Sequence, residues 1–397
     1  MDLRAAVQIS ELELDRMLLD RYGLFGRLHG LGDLFQIEEK RLFLITAHHL
    51  IETGLKESVF SSNRLSSMAI RLQAESSASA ELLLSAYRGW LMYMDPPEHA
   101  ICRTMVNSSI ATTDVGDAIS SITFQGIPRR RATNIVAEII IPTVSTFLAR
   151  IMGIELAFYE SLRRSSQTVL GFFVGTGLEE SDPSPAAAAD AYNDMKRTLE
   201  SLPQSRGLLA ELRRHAVDSV IDFGSLATAL IADTWEPVVA SAAAGVLYHL
   251  RGMVPNNHIH KQPVETFDEI VRLESPFQFC NRVATATLEF GGSTLHQNDR
   301  VIFCLGAGNR DPRVFPDPNA FVLRPNYQQS LAFGVGRHNC LGRQIARQFC
   351  IEFWKQLFAN ERPSLPELVD YRWRDVFGMR ILDEVDVYVP EKKDEPG

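Results

Sequence analysis

Between Phe333 and Arg347 the chain reads FGVGRHNCLGRQIAR, and no other stretch restricts the fold so strongly. Gly334 and Gly336 permit a tight turn and a close approach of backbone to a flat ligand. Cys340 follows where a helix is expected to begin, with Leu341, Ile345, Phe349 and Phe353 spaced four apart on the face that should meet the core. A sulfur at a helix N-terminus has its thiolate stabilised by the helix dipole and by free backbone N–H groups. The loop therefore suits a sulfur held as an anionic ligand. Cys102, Cys280, Cys304 and Cys350 lack these surroundings and read as small buried hydrophobes.

The rest of the composition excludes several classes. Five scattered cysteines without CxxC pairs point to a reducing cytoplasm rather than a disulfide scaffold. A net charge of −9 argues against nucleic acid, which requires an excess of Lys and Arg. The first residues, MDLRAAVQISELELDR, lack the pattern of a signal peptide. The weakly polar run Leu226 to Leu250 holds Asp233, Glu236 and Pro237 and is rich in Ala, so it is expected to be a buried core helix and not a membrane span.

Three-four apolar spacing dominates to about Arg251, which predicts a helical body. After Asn281 the pattern alternates, turns at Gly291-Gly292 and alternates again, which predicts a β-hairpin. The expectation is one mixed domain over residues 1–397, mainly α with a smaller β-sheet region: helix-rich at about 1–275, and β-rich with the cysteine loop at about 276–397. Glu179 to Ala189, EESDPSPAAAA, is expected to be a surface loop.

Phe333, Gly334, Gly336, His338, Cys340 and Gly342, as Phe-Gly-x-Gly-x-His-x-Cys-x-Gly, resemble the haem-binding signature of the cytochrome P450 family. Other parts of the chain are similar to that family in the expected order. Asp95-Pro-Pro-Glu-His99-Ala-Ile-Cys-Arg103 places His99 and Arg103 four apart, as in the segment that holds a haem propionate. Glu269-Ile-Val-Arg272 matches the ExxR ion pair, followed by Pro276, Arg282, Asn309-Arg-Asp-Pro312 and Phe315-Pro-Asp-Pro318. Ala320 stands where relatives often carry a further Arg, with Arg324 nearby as a substitute.

The resemblance implies a P450 fold with haem b (iron protoporphyrin IX) buried between a long central helix and the Cys340 loop. Cys340 would be the metal ligand, and His99, Arg103, Arg282 and His338 would hold the propionates. The central helix departs from the family pattern of an acid followed by Thr, which serves proton delivery. Asp233-Thr234 is one register. Counting back from Gly245 gives the preferred one, with Glu236 at the acid and Pro237 at the alcohol. Pro237 has no N–H, so the Asp233 carbonyl is freed and a kink is expected; Thr234 would face the same side.

By the same resemblance the chain is expected to be a bacterial-type haem-thiolate monooxygenase, in which sulfur donation to iron favours O–O cleavage. Its substrate would be a small organic molecule or natural product, free or attached to a peptide or carrier. Electrons would come from a ferredoxin or flavodoxin with a reductase. Oxidative coupling or crosslinking, peroxide use and a non-catalytic haem sensor are the alternatives. Arg337, Arg343 and Arg347 form a candidate docking patch for an acidic redox partner. The stretches Ser66 to Tyr87 and Val169 to Met195 are expected to be loops lining the pocket and carry no recognisable substrate code.

Overall fold

A computed structural model describes residues 7–9, 20–37, 41–73, 77–123, 126–174, 183–203, 206–216, 222–255, 258–323, 329–359, 366–374, 376 and 378–390. They fall into two compact units. The first comprises residues 1–61, 124–142 and 236–397, and the second residues 62–123 and 143–235.

The predicted hairpin is present in the first unit. Strands β6 (Phe279–Ala284) and β9 (Arg300–Cys304) pair antiparallel, and the short pair β7 (Leu288–Phe290) and β8 (Ser293–Leu295) turns at Gly291 and Gly292, whose φ angles are 60° and 83°. Such positive angles cost a glycine nothing. The helical reading of the N-terminal stretch needs correction, however. Strands β1 (Val7–Ile9), β2 (Leu34–Ile37), β3 (Leu42–Ile45) and β4 (Phe60–Ser61) join the C-terminal pair in one sheet of order β1-β2-β3-β9-β6-β4. Runs of two to four residues are too short for periodicity to separate strand from helix; pairing decides them, β3 with distant β9, β4 with distant β6, and β2 and β1 in turn on β3. Phe43, Ile45, Phe60 and Phe303 pack with Ile51 and Leu55 of the helix His48–Lys56 on one face. A second sheet, β10 (Glu367–Trp373), β11 (Leu382–Tyr388) and β5 (Ala132–Asn134), is antiparallel throughout.

The second unit is built of helices, chiefly Ser77–Arg88, Glu98–Thr112, Leu156–Val174, Pro185–Ser201 and Gly207–Ala216. The pocket-lining stretches expected to be loops are therefore largely helical, because their apolar residues repeat at helical spacing and find helices to pack against. The expected loop Glu179 to Ala189 changes at its end. Ser184 caps the helix by accepting from the Ala187 N–H at 3.2 Å, Pro185 occupies the first turn, and the alanines continue the helix. Residues 179–182 lie outside the described residues.

The long helix Phe223–Leu250 runs unbroken through Pro237. Its start is capped by Asp222, whose carboxylate accepts from the Ser225 N–H at 3.1 Å. It is long and apolar enough to cross a membrane, but 72% of its most apolar window is buried within the protein, the condition of a core helix.

Candidate active site

The cysteine loop belongs to the first unit. Gly334 and Gly336 have φ of 64° and 73°, and the Cys340 N–H donates to the Phe333 carbonyl at 2.8 Å, closing the turn. A Cβ on Gly336 would come within 2.7 Å of the Leu55 carbonyl, so only glycine lets the loop rest on the helix His48–Lys56. A short 3-10 turn, Gly336–His338, precedes Cys340. The following helix is Arg343–Leu357, with Gly342 as its cap, so Cys340 stands three residues ahead of the helix and not at its first residue. Phe349 and Phe353 are fully buried, whereas Leu341 and Ile345 are half-buried. The first helical hydrogen bond runs from the Ala346 N–H to the Gly342 carbonyl at 2.9 Å, which leaves Cys340 outside the helix.

Cys340 is exposed, whereas Cys102, Cys304 and Cys350 are buried and Cys280 is half-buried. Burial pushes the Cys102 thiol up to about 11 and raises Cys304 and Cys350 as well. A thiol held protonated is a poor anionic ligand. The donor chemistry of the chain thus fits haem b: one accessible sulfur on a glycine-shaped loop, and cationic side chains for carboxylates. Arg282, on β6, and His338 belong to the same unit as Cys340. His99 is buried and Arg103 half-buried on one face of the helix Glu98–Thr112, in the second unit.

Beneath the loop the ExxR pair is complete. Arg272 donates through Nε and Nη2 to the Glu269 carboxylate at 2.7 and 2.8 Å, and both side chains are fully buried. Its remaining N–H groups reach the carbonyls of Asn309, Pro318 and Ala320 at 2.7, 2.9 and 3.2 Å. Glu269 accepts from the Val322 N–H at 2.9 Å. Backbone groups thus engage the pair around Ala320, where the sequence left a gap; Arg324 lies outside the described residues.

The expected cationic patch is smaller than its sequence suggests. Arg343 and Arg347 lie 3.4 and 3.7 Å from the buried Asp268 carboxylate, and Arg337 donates to the Glu57 carbonyl. Packing of the helix Pro263–Leu273 against Arg343–Leu357, not sequence spacing, brings Asp268 to Arg343 and Arg347, so the two guanidiniums are partly neutralised locally.

The two acids of the central helix have opposite surroundings. Glu236 is ion-paired to Arg374 at 2.7 Å, and Arg374 also contacts Asp383 at 2.8 Å, beside the β10–β11 sheet. Asp233 accepts from the Trp90 indole N–H at 2.7 Å, and burial pushes its carboxyl up to about 7, the indole contact opposing the shift. Thr234 donates weakly to the Ile231 carbonyl at 3.4 Å, and Ser241 donates to the Pro237 carbonyl at 2.8 Å. Further along, the small residues pack on protein: the Trp354 indole donates to the Ala242 carbonyl at 2.9 Å, and a Cβ on Gly245 would lie 2.0 Å from the Trp354 ring. Trp90 and Arg374 were not foreseeable, because each meets its acid across more than a hundred residues of chain.

The mainly helical architecture, its smaller sheets and the thiol loop are those of the P450 fold. P450BioI bound to an acyl carrier protein ligated with hexadec-9Z-enoic acid has a similar structure, with a TM-score of 0.78 at 22% identity, covering 94% of this chain and 99% of that one. CalO2 is also similar, at a TM-score of 0.81 and 19% identity over 94% and 96%. The Cytochrome P450 family profile matches residues 264–353. The biotin biosynthesis cytochrome P450 of Bacillus subtilis is 24% identical over 79% of this chain and 83% of its own length. Nocardicin C N-oxygenase of Nocardia uniformis is 25% identical over 77% and 78%. A putative cytochrome P450 140 of Mycobacterium tuberculosis is 48% identical, but over only 21% of this chain and 19% of its own. The comparisons support a bacterial-type cytochrome P450, a family whose cofactor is haem b.

Proposed function

We propose that the protein is a haem-thiolate monooxygenase that oxidises a small organic or natural-product substrate, with electrons from a separate ferredoxin or flavodoxin and its reductase. The observation that carries this reading is the accessible Cys340 on a loop shaped by Gly334 and Gly336, beside an intact Glu269–Arg272 pair. Residues 1–397 would work as one catalytic domain in the cytoplasm. Cys340 would be the axial ligand; His99, Arg103, Arg282 and His338 would hold the propionates by charge-assisted hydrogen bonds. Phe333, Gly334, Gly336 and Gly342 would shape the loop around it. Haem b with a thiolate ligand supplies dioxygen activation.

Within this chain, Glu236 would move the proton at its carboxylate, with Pro237 in place of the usual alcohol. For Glu236 to exchange a proton its pair with Arg374 must open, since a guanidinium stays protonated at any working pH. Thr234, on the neighbouring turn, would supply a hydroxyl. Several relatives bear natural-product names, which supports that substrate class, and P450BioI was seen with a carrier-bound acyl chain, which supports a peptide- or carrier-attached form. The substitution at Pro237 favours a second reading, oxidative coupling or crosslinking, in which the substrate carries part of the relay.

The test is a carbon-monoxide difference spectrum of the reduced protein, followed by NADH-linked turnover with a surrogate ferredoxin and reductase. A band near ~450 nm with product formation is expected. A thiolate band without turnover on any candidate substrate would favour a non-catalytic haem protein.

A further inference from the structure

In the second unit four buried aromatic rings pack together behind Asp233. Tyr87 and Tyr93 stack with centroids 4.3 Å apart, and Phe173 stands edge-on to Tyr87, Trp90 and Tyr93 at 5.7, 5.1 and 6.3 Å. Trp90 holds one oxygen of Asp233, Oδ2, through its indole N–H. The other, Oδ1, is shielded from solvent and has no hydrogen-bond partner among the described residues. Asp233 forms no ion pair among them either; Arg64 lies over the Tyr93 ring, 5.1 Å from its centroid. A second acceptor adjoins the first, because Pro237 has no N–H to give the Asp233 carbonyl one turn earlier.

A half-buried carboxyl group with one oxygen covered and unpartnered has two remedies: it stays protonated, or it meets a cation. A protein that needed only a packed core would have no use for an acid here, since an unsatisfied oxygen costs more than an apolar group of the same size. We propose that Asp233 anchors a basic nitrogen of the substrate, with Trp90 holding Oδ2 and the covered Oδ1 accepting the ligand's N–H once the side chains over it move aside. This rests on the reading of the helix Phe223–Leu250 as the wall of the substrate site. An ammonium group supplies both the donor and the charge that Oδ1 lacks, and aromatic faces nearby tolerate a cation. Asp233 then sets specificity, whereas Glu236, tied to Arg374, handles protons.

The charged and titratable groups around this part of the helix are Tyr87, Tyr93 and Arg64 on one side, and Tyr159 with the Arg163–Glu160 pair on the helix Leu156–Val174. Burial raises all three phenols, so they stay neutral through the neutral range. Asp233 is left as the group that ionises near pH 7.

The experiment is calorimetric titration of the haem-loaded protein with N,N-dimethylphenethylamine and with the uncharged methyl phenethyl ether, from about pH 6 to about pH 8. The amine is expected to bind about tenfold or more tighter than the ether at the upper end, as one charge-assisted contact requires. Its affinity should weaken as the pH falls through about 7, where Asp233 takes up a proton, while that of the ether stays level. Asp233→Asn keeps an acceptor for the Trp90 indole and should abolish both the preference and the pH dependence. Equal affinities, no binding of either probe, or amine binding unchanged in Asp233→Asn would each overturn the proposal. The carbon-monoxide band of the same samples reports separately on the haem-thiolate reading.

Discussion

Replacing Arg272 with Met removes five hydrogen bonds at once, two to Glu269 and three to the carbonyls of Asn309, Pro318 and Ala320. Both partners are fully buried, so water cannot replace the lost donors. Glu269 would keep the Val322 N–H but lose its guanidinium partner. Breaking a buried pair by removing one partner costs about 3–5 kcal/mol, and the orphaned carbonyls add to that. Against a total stability of about 5–15 kcal/mol, the loss is a large share of the whole. Glu269→Gln should cost less, because the amide still accepts from Val322 and the three carbonyls still hold the guanidinium. The assay is urea unfolding followed by far-ultraviolet circular dichroism, with haem content measured at each step. An Arg272→Met protein within about 1 kcal/mol of wild type, or one less affected than Glu269→Gln, would refute the reasoning.

Other substitutions test the site. Cys340→Ala should lose the reduced carbon-monoxide band near ~450 nm, whereas the same change at the buried Cys350 should leave it; retention of the band in Cys340→Ala would remove Cys340 as the ligand. Arg103→Ala combined with Arg282→Ala should yield largely haem-poor protein, since each lost charge-assisted contact costs about 1.5–3 kcal/mol; full occupancy on a pyridine haemochrome assay would contradict that assignment. Glu236→Ala should lower product formed per NADH while leaving substrate affinity near normal, and Asp233→Asn should do the reverse; a dominant turnover loss at Asp233 instead would make Asp233-Thr234 the relay pair. Pro237→Thr should raise coupling if oxygen activation is ordinary, and leave it unchanged or lower it if the substrate supplies the relay.

By itself the sequence pointed to the P450 resemblance, the cofactor and the cysteine loop, because those depend on short local patterns: glycines where φ must be positive, a Cys two residues before a helix cap, and Glu and Arg one turn apart. It also placed the β6 to β9 hairpin, whose alternation is carried within a single continuous stretch. Only the tertiary structure decided the rest. Strands β1 to β4 are too short to declare themselves; β3 and β4 pair with residues far along the chain, and β2 and then β1 add on to β3. The gap at Ala320 is met by main-chain groups, which no side-chain motif records. The two acids of the central helix, three residues apart, look interchangeable in sequence. Trp90 and Arg374 make them different, because a carboxylate's chemistry is set by the charges and donors that packing brings to it, and those come from elsewhere in the chain.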